Sequence, residues 1–192
     1  PPTTNPTVGV IFKGPDRFIH NFALPSTDGR NVFIGTSSGS FPTHTPVSPY
    51  EASYNTAVGF ASLGSLITGY LNSAFGAYSL SSNTSGIDNA AFGDSSLYAN
   101  TGSFNSAFGH SSLRSNTTAS GNSAFGMYSL RGNATGWGNS AFGYASLYAN
   151  TTGNNNSAFG MYSLSSNATG FGNSAFGHQS LYANTTGISN SA

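Results

Sequence analysis

Apolar residues in this chain recur in the same two places of a long repeat rather than at the short periods of a helix or an ordinary strand. The pentapeptide Asn-Ser-Ala-Phe-Gly, or a close variant, begins at Asn55, Asn72, Asn89, Asn105, Asn122, Asn139, Asn156 and Asn173. A further copy opens at Asn190, and successive starts lie seventeen residues apart except for one gap of sixteen after Asn89. The consensus is N-S-A-F-G-x-x-S-L-x-x-N-x-T-G-x-x. No 3.6-residue period is present and glycine recurs too often for a helix. A fixed period of this length instead signals coils that stack on one another. Ser-Ala-Phe and Ser-Leu are strand-sized. The glycine at position five and the Asn-x-Thr-Gly at positions twelve to fifteen supply residues that tolerate corners.

Stacked β-coils rise by about 4.8 Å, so equivalent residues form ladders. The first ladder is Phe75, Phe92, Phe108, Phe125, Phe142, Phe159 and Phe176, with Val58 at its head. The second is Leu63, Leu80, Leu97, Leu113, Leu130, Leu147, Leu164 and Leu181. Both rows are expected inside, with the intervening alanine pointing outward to a face that a second copy of the chain approaches closely. Asparagines at positions one and twelve are expected to hydrogen-bond from coil to coil. The fold class predicted is all-β, a parallel β-solenoid of about nine seventeen-residue coils.

Three segments follow. Residues 1–30 obey no repeat and read as a cap or assembly segment, with Val8, Val10, Ile11 and Phe12 as a candidate assembly strand. Residues 31–54 hold a degenerate first coil, Asn31-Val32-Phe33-Ile34-Gly35, and a Pro/Ser/Thr-rich insertion. Residues 55–192 are the regular array.

Composition narrows the function. Five basic and five acidic residues leave the chain 5% charged with no net charge, against about one quarter in ordinary domains. Nucleic acid is therefore not an expected partner, since phosphate binding needs a basic surface, and no apolar run reaches the ~20 residues of a membrane-spanning helix. Absence of cysteine excludes disulfides and thiolate chemistry.

The N-[ST]-A-[FV]-G…S-L…N-x-T-G pattern of residues 55–192 resembles the head repeats of trimeric autotransporter adhesins and the longer-period repeats of phage tail fibres. That resemblance implies a left-handed β-roll, three chains side by side as a homotrimer, and an extracellular, cell-surface or virion-surface location. The phenylalanine, in place of a smaller aliphatic residue, implies a wider interior or a ring seated between chains.

Candidate chemistry is sparse. Asp88 and Asp94 are the acidic residues of the array, and they read as turn and surface residues rather than the paired carboxylates of a glycosidase. No catalytic residue, cofactor or metal site is expected. His110 and His178 share position six but lie four coils apart; His110 stacks over Asp94. Arg114 and Arg131 fall at position ten of adjacent coils, and two solvated side chains are the expected reading, an anionic glycan or a carboxylate from a neighbouring chain the sharper one. Tyr98, Tyr148 and Tyr182 at the same position, with Trp137, are candidate glycan or partner contacts, weighed against packing between chains. Sequons at Asn83, Asn116, Asn133, Asn150, Asn155, Asn167 and Asn184 arise from the repeat itself, in a turn expected to be exposed. The expected function is a non-enzymatic structural or adhesive fibre segment whose partners are its own copies and a surface glycan or receptor. A filament subunit polymerising through its N-terminal strand is the alternative.

Overall fold

The computed structural model describes residues 11–40 and 44–192; Val8 and Val10 of the candidate assembly strand lie outside them. The described residues form one sheet of eleven strands in sequence order. A hairpin of β1 (Ile11–Lys13) and β2 (Asp16–His20) precedes β3 (Val32–Ile34) and β4 (Thr56–Val58). One strand per repeat then follows: β5 (Ser73–Phe75), β6 (Ala90–Phe92), β7 (Ser106–Phe108), β8 (Ser123–Phe125), β9 (Ser140–Phe142), β10 (Ser157–Phe159) and β11 (Ser174–Phe176). From β3 onward every pairing is parallel and in register, so alanine stacks on alanine and phenylalanine on phenylalanine. This is a parallel β-solenoid, with no helix among the described residues. Seven regular turns separate β4 from β11, fewer than the nine coils expected. The first coil is a wider loop, in which Val32 pairs with Thr56, and Ser191 only begins another rung, on Ser174.

The two faces of the strand are opposite to the sequence expectation. The alanines from Ala57 to Ala175 are fully buried, and the leucines from Leu63 to Leu164 line the core beside them. The phenylalanines point outward: Phe75, Phe108, Phe125, Phe142 and Phe159 are half-buried, and Phe92 and Phe176 are exposed. The alanine column therefore cannot face another chain. Alternation along a strand gives opposite faces to neighbours but does not say which is inside, and a one-residue change of parity exchanges them. Here the turn begins directly after the strand, at glycines with φ of 122–137°. A coil this tight accommodates a methyl group where a phenyl ring would not fit. Only the wider first coil admits one, at Phe33, which occupies the alanine position and is 1% exposed.

Ser-Leu is not a second strand. Each leucine has φ of 48–50°, and the residue two before it is also left-handed. Such a conformation costs a non-glycine residue roughly 1–2 kcal/mol, which burying the leucine, at about 1.5–3 kcal/mol, offsets. The fifth-position glycine cannot be replaced in the same way. A Cβ on Gly109 would lie 2.7 Å from the carbonyl of Gly126 in the next coil, where real atoms do not approach.

The rest of the interior is polar and hydrogen-bonded. In the first asparagine column each Oδ1 accepts from both the backbone N–H and the Nδ2 of the asparagine one coil later. For Asn122 these bonds to Asn139 are 2.9 and 3.2 Å, and its own Nδ2 donates to Gly136 O at 2.9 Å. In the second column, Nδ2 of Asn116, Asn133, Asn150, Asn167 and Asn184 each donates to the preceding Oδ1 at 2.7–2.9 Å. Both asparagine ladders form as expected. The serine at position eight, which the sequence reading left unassigned, is a third polar column: Ser62 to Ser163 are fully buried, each hydroxyl donating to the preceding glycine carbonyl. Buried polar groups of this kind cost free energy only when left unpaired.

Residues 11–30 close the first edge. β2 pairs antiparallel with β3, the ring of His20 lies 4.9 Å from that of Phe33, and Phe22, Ala23 and Leu24 are buried behind it. The Nδ2 of Asn31, at the head of the asparagine ladder, donates to the carbonyls of Phe22 and Ala52 at 2.7 and 2.6 Å. Ile11 and Phe12 stand on the outer hairpin strand, exposed but paired within the chain to Ile19 and Arg17. At position twelve of the first regular coil a buried leucine, Leu66, replaces the asparagine.

Candidate binding surface

Two aromatic rows run along the outside of the solenoid. The first is the phenylalanine ladder, which leaves each strand on its outer face beside the serine of position two. Consecutive rings from Phe75 to Phe176 have centroids 4.7–5.0 Å apart and planes within 8° of parallel. Register alone imposes this: identical side chains on identical rungs must stack with an offset.

The second row follows the strand and glycine, from positions six, seven and ten. Phe60 meets Tyr78 at 5.2 Å and Tyr78 meets Tyr98 at 6.4 Å. The guanidinium of Arg114 lies 5.1 Å over Tyr98. Arg131 lies between Tyr128 and Tyr148, at 5.6 and 5.8 Å, and its Nη1 donates to the Tyr148 hydroxyl at 3.1 Å. Beyond them Tyr128 contacts Tyr144, Tyr144 contacts Tyr162, and Tyr162 contacts Tyr182. The hydrogen bond with Tyr162 raises the Tyr144 phenol above its ordinary pKa. The two arginines are thus half-buried on tyrosine faces, not the solvated side chains expected. His110 sits on the same strip, edge-on to Tyr128 at 5.4 Å, with its Nδ1 3.2 Å from Asp94 Oδ1, the contact that stacking predicted.

Five of the six candidate contact residues, Tyr98, Arg114, Arg131, Tyr148 and Tyr182, therefore share one strip. Sequence spacing placed them in one column; the tyrosines of position seven, which tie that column together, were legible only as an alternating pattern. The sixth, Trp137, lies at position sixteen in a different corner, where its backbone N–H is bonded to Asn154 and its side chain is exposed. No ring contact joins it to the strip among the described residues. The sequon turn also departs from expectation, because Asn83, Asn116, Asn133, Asn150 and Asn167 are buried inside the second ladder. Of the seven, Asn155 alone is exposed and Asn184 is half-buried.

Near the first coil, Tyr50, Tyr54, Tyr70 and Leu71 line a shallow apolar cleft. Tyr54 donates to Asp28 Oδ2 at 2.7 Å, a bond that raises its pKa, and Arg30 lies 5.6 Å over its ring. Among the described residues no group of three His, Asp or Glu side chains converges as a metal site would require, and no helix is long and apolar enough to cross a membrane.

The geometry defines the class of protein, a repetitive parallel β-solenoid with a period of about seventeen residues and an aromatic exterior. No family model, curated protein or solved structure matches the chain.

Proposed function

We propose that this chain is a non-catalytic structural and adhesive segment of an extracellular fibre, a stiff rod presenting a repetitive neutral surface, assembled side by side as a homotrimer. The observation that carries this reading is the phenylalanine ladder. Seven rings lie in one straight file on the outer face of the sheet, only partly covered by their own chain. A continuous exposed apolar row on an otherwise polar protein suits an interface. Identical rows on parallel rods pack ring against ring along their whole length, and three rods close the set with point symmetry. The rod then offers many equivalent weak contacts at once, which is how multivalent adhesion gains strength. The near absence of charge supports an interface formed without desolvating ions.

Light scattering during size-exclusion chromatography tests it. A peak at three times the 19.6 kDa chain mass is the expected result, and a clean monomer at micromolar concentration overturns it.

A second reading, a filament polymerising through its N-terminal strand, draws on the exposed Ile11 and Phe12 of β1, an edge able to receive or donate a strand. Removing residues 1–15 would abolish polymerisation on this reading; filaments that persist would overturn it.

A further inference from the structure

Only two of the five basic side chains, Arg114 and Arg131, lie in the regular array, and they occupy neighbouring rungs at the centre of the tyrosine strip. The Ser115 N–H donates to Arg131 O at 3.1 Å, joining the two coils directly beside them. Their guanidinium groups lean to opposite sides, Arg114 over Tyr98 of the coil before it and Arg131 toward Tyr148 of the coil after it. Neither guanidinium has a carboxylate partner among the described residues. Asp94, the one acidic side chain at these positions of the strip, is held by His110. Both guanidinium groups lie over tyrosine rings, and the Arg131 Nε is shielded from water with no hydrogen-bond partner. A fork fixed on an aromatic face in this way is ordered before any ligand arrives, and its planar donors match a carboxylate.

On either side of this cationic centre the strip is neutral and aromatic. Tyr78 flanks it at one end, and Tyr144, Tyr162 and Tyr182 extend it at the other. We propose that the strip binds, along the rod axis, a linear polysaccharide in which uronic acids alternate with neutral sugars, one uronate carboxylate meeting Arg114 and the next Arg131 while flanking sugar rings stack on the exposed Tyr78, Tyr144 and Tyr182. Stacked β-coils rise by about 4.8 Å, so a chain laid along the axis passes the groups of the strip rung by rung. The charge pattern selects this occupant. A nucleic acid would need cations along the whole strip, and an acidic peptide with charges on successive residues would leave most of them facing tyrosine. The inference deepens the adhesive reading above by naming its ligand class, and rests on that reading only for its biological sense.

Titration calorimetry of the full chain with a hexasaccharide in which glucuronic acid alternates with a neutral N-acetylated sugar tests the site, beside a neutral glucose hexasaccharide and a short polyglutamate. Binding of the acidic sugar is expected, at least tenfold tighter than either comparison and weakened by salt. Arg114→Gln with Arg131→Gln should reduce it at least tenfold without changing the melting temperature. Arg131→Lys, which keeps the charge and loses the planar fork, should fall between. Equal binding of the neutral sugar, equal or tighter binding of polyglutamate, an unaffected double variant, or no heat with any probe would each overturn the proposal. Chain mass, measured on the same sample, keeps the two readings apart. A monomer that binds the acidic sugar sinks the trimer and keeps the site; a trimer indifferent to it does the reverse.

Discussion

Asn122 shows how single residues hold this fold. Its Oδ1 accepts two bonds from Asn139, and its Nδ2 donates to Gly136 O and weakly to Asn105 Oδ1. Asn122→Ala leaves the Asn139 backbone N–H buried without a partner. It takes one bond each from Asn139 Nδ2, Gly136 O and Asn105 Oδ1, which keep Gly153 O, Asn133 Nδ2 and the backbone N–H of residue 122. The substitution should cost about 1–3 kcal/mol, the cost of one unmet group. Thr152→Ala, at an exposed threonine of the turn, should change stability by less than about 0.5 kcal/mol. Urea midpoints at equal m-value compare the two. The strand supplies a second test at this scale. Ala124→Leu forces three carbons into a closed coil and should destabilise by about 3 kcal/mol or more, whereas Phe125→Leu, on the half-buried outer face, should cost about 1 kcal/mol. The reverse order in thermal melts would contradict the placement of alanine inside and phenylalanine outside.

At the scale of elements, the N-terminal hairpin and the loop after it do for the first coil what each coil does for the next. They pair with β3, cover Phe33 and supply an acceptor for Asn31. His20, buried between β2 and β3 and bonded through Nε2 to Ser38 O at 2.8 Å, has its pKa lowered, chiefly by burial. The unfolded chain takes up this proton near the ordinary value of 6.5, and the folded chain only at lower pH. The cap is therefore fully stable above that value and loses stability as pH falls from about 6.5 toward the folded value. Amide exchange in β2 and β3 should accelerate between pH 7 and pH 5, corrected for intrinsic rates, more than in β8. His20→Gln should remove the difference.

For the whole molecule, stability is a sum over neighbouring coils, to which the half-buried outer rings add about 1 kcal/mol each. The phenylalanine ladder is better placed to join chains. Replacing Phe108, Phe125 and Phe142 by serine should leave the circular dichroism spectrum unchanged and convert a trimer to monomers in the light-scattering experiment. An unchanged mass would place the interface on another face.

The sequence by itself determined the architecture. Asn55 to Asn190 recur at one spacing, and a fixed spacing permits only stacked coils whose equivalent residues form ladders; the asparagine bonds, the His110–Asp94 contact and the degenerate coil at Asn31 all followed from that arithmetic. Periodicity is translational, however, and carries no information about which way a rung faces. The exchange of Ala124 and Phe125 between core and surface, the burial of the sequon asparagines, and the left-handed φ of Leu130 are settled by how tightly each coil must close. That closure is a property of the cross-section, set by Gly126 and the interior volume together. The column of position ten was legible from spacing, but its joining to the tyrosines of position seven was not, because the two meet only when neighbouring coils bring their side chains across the rungs.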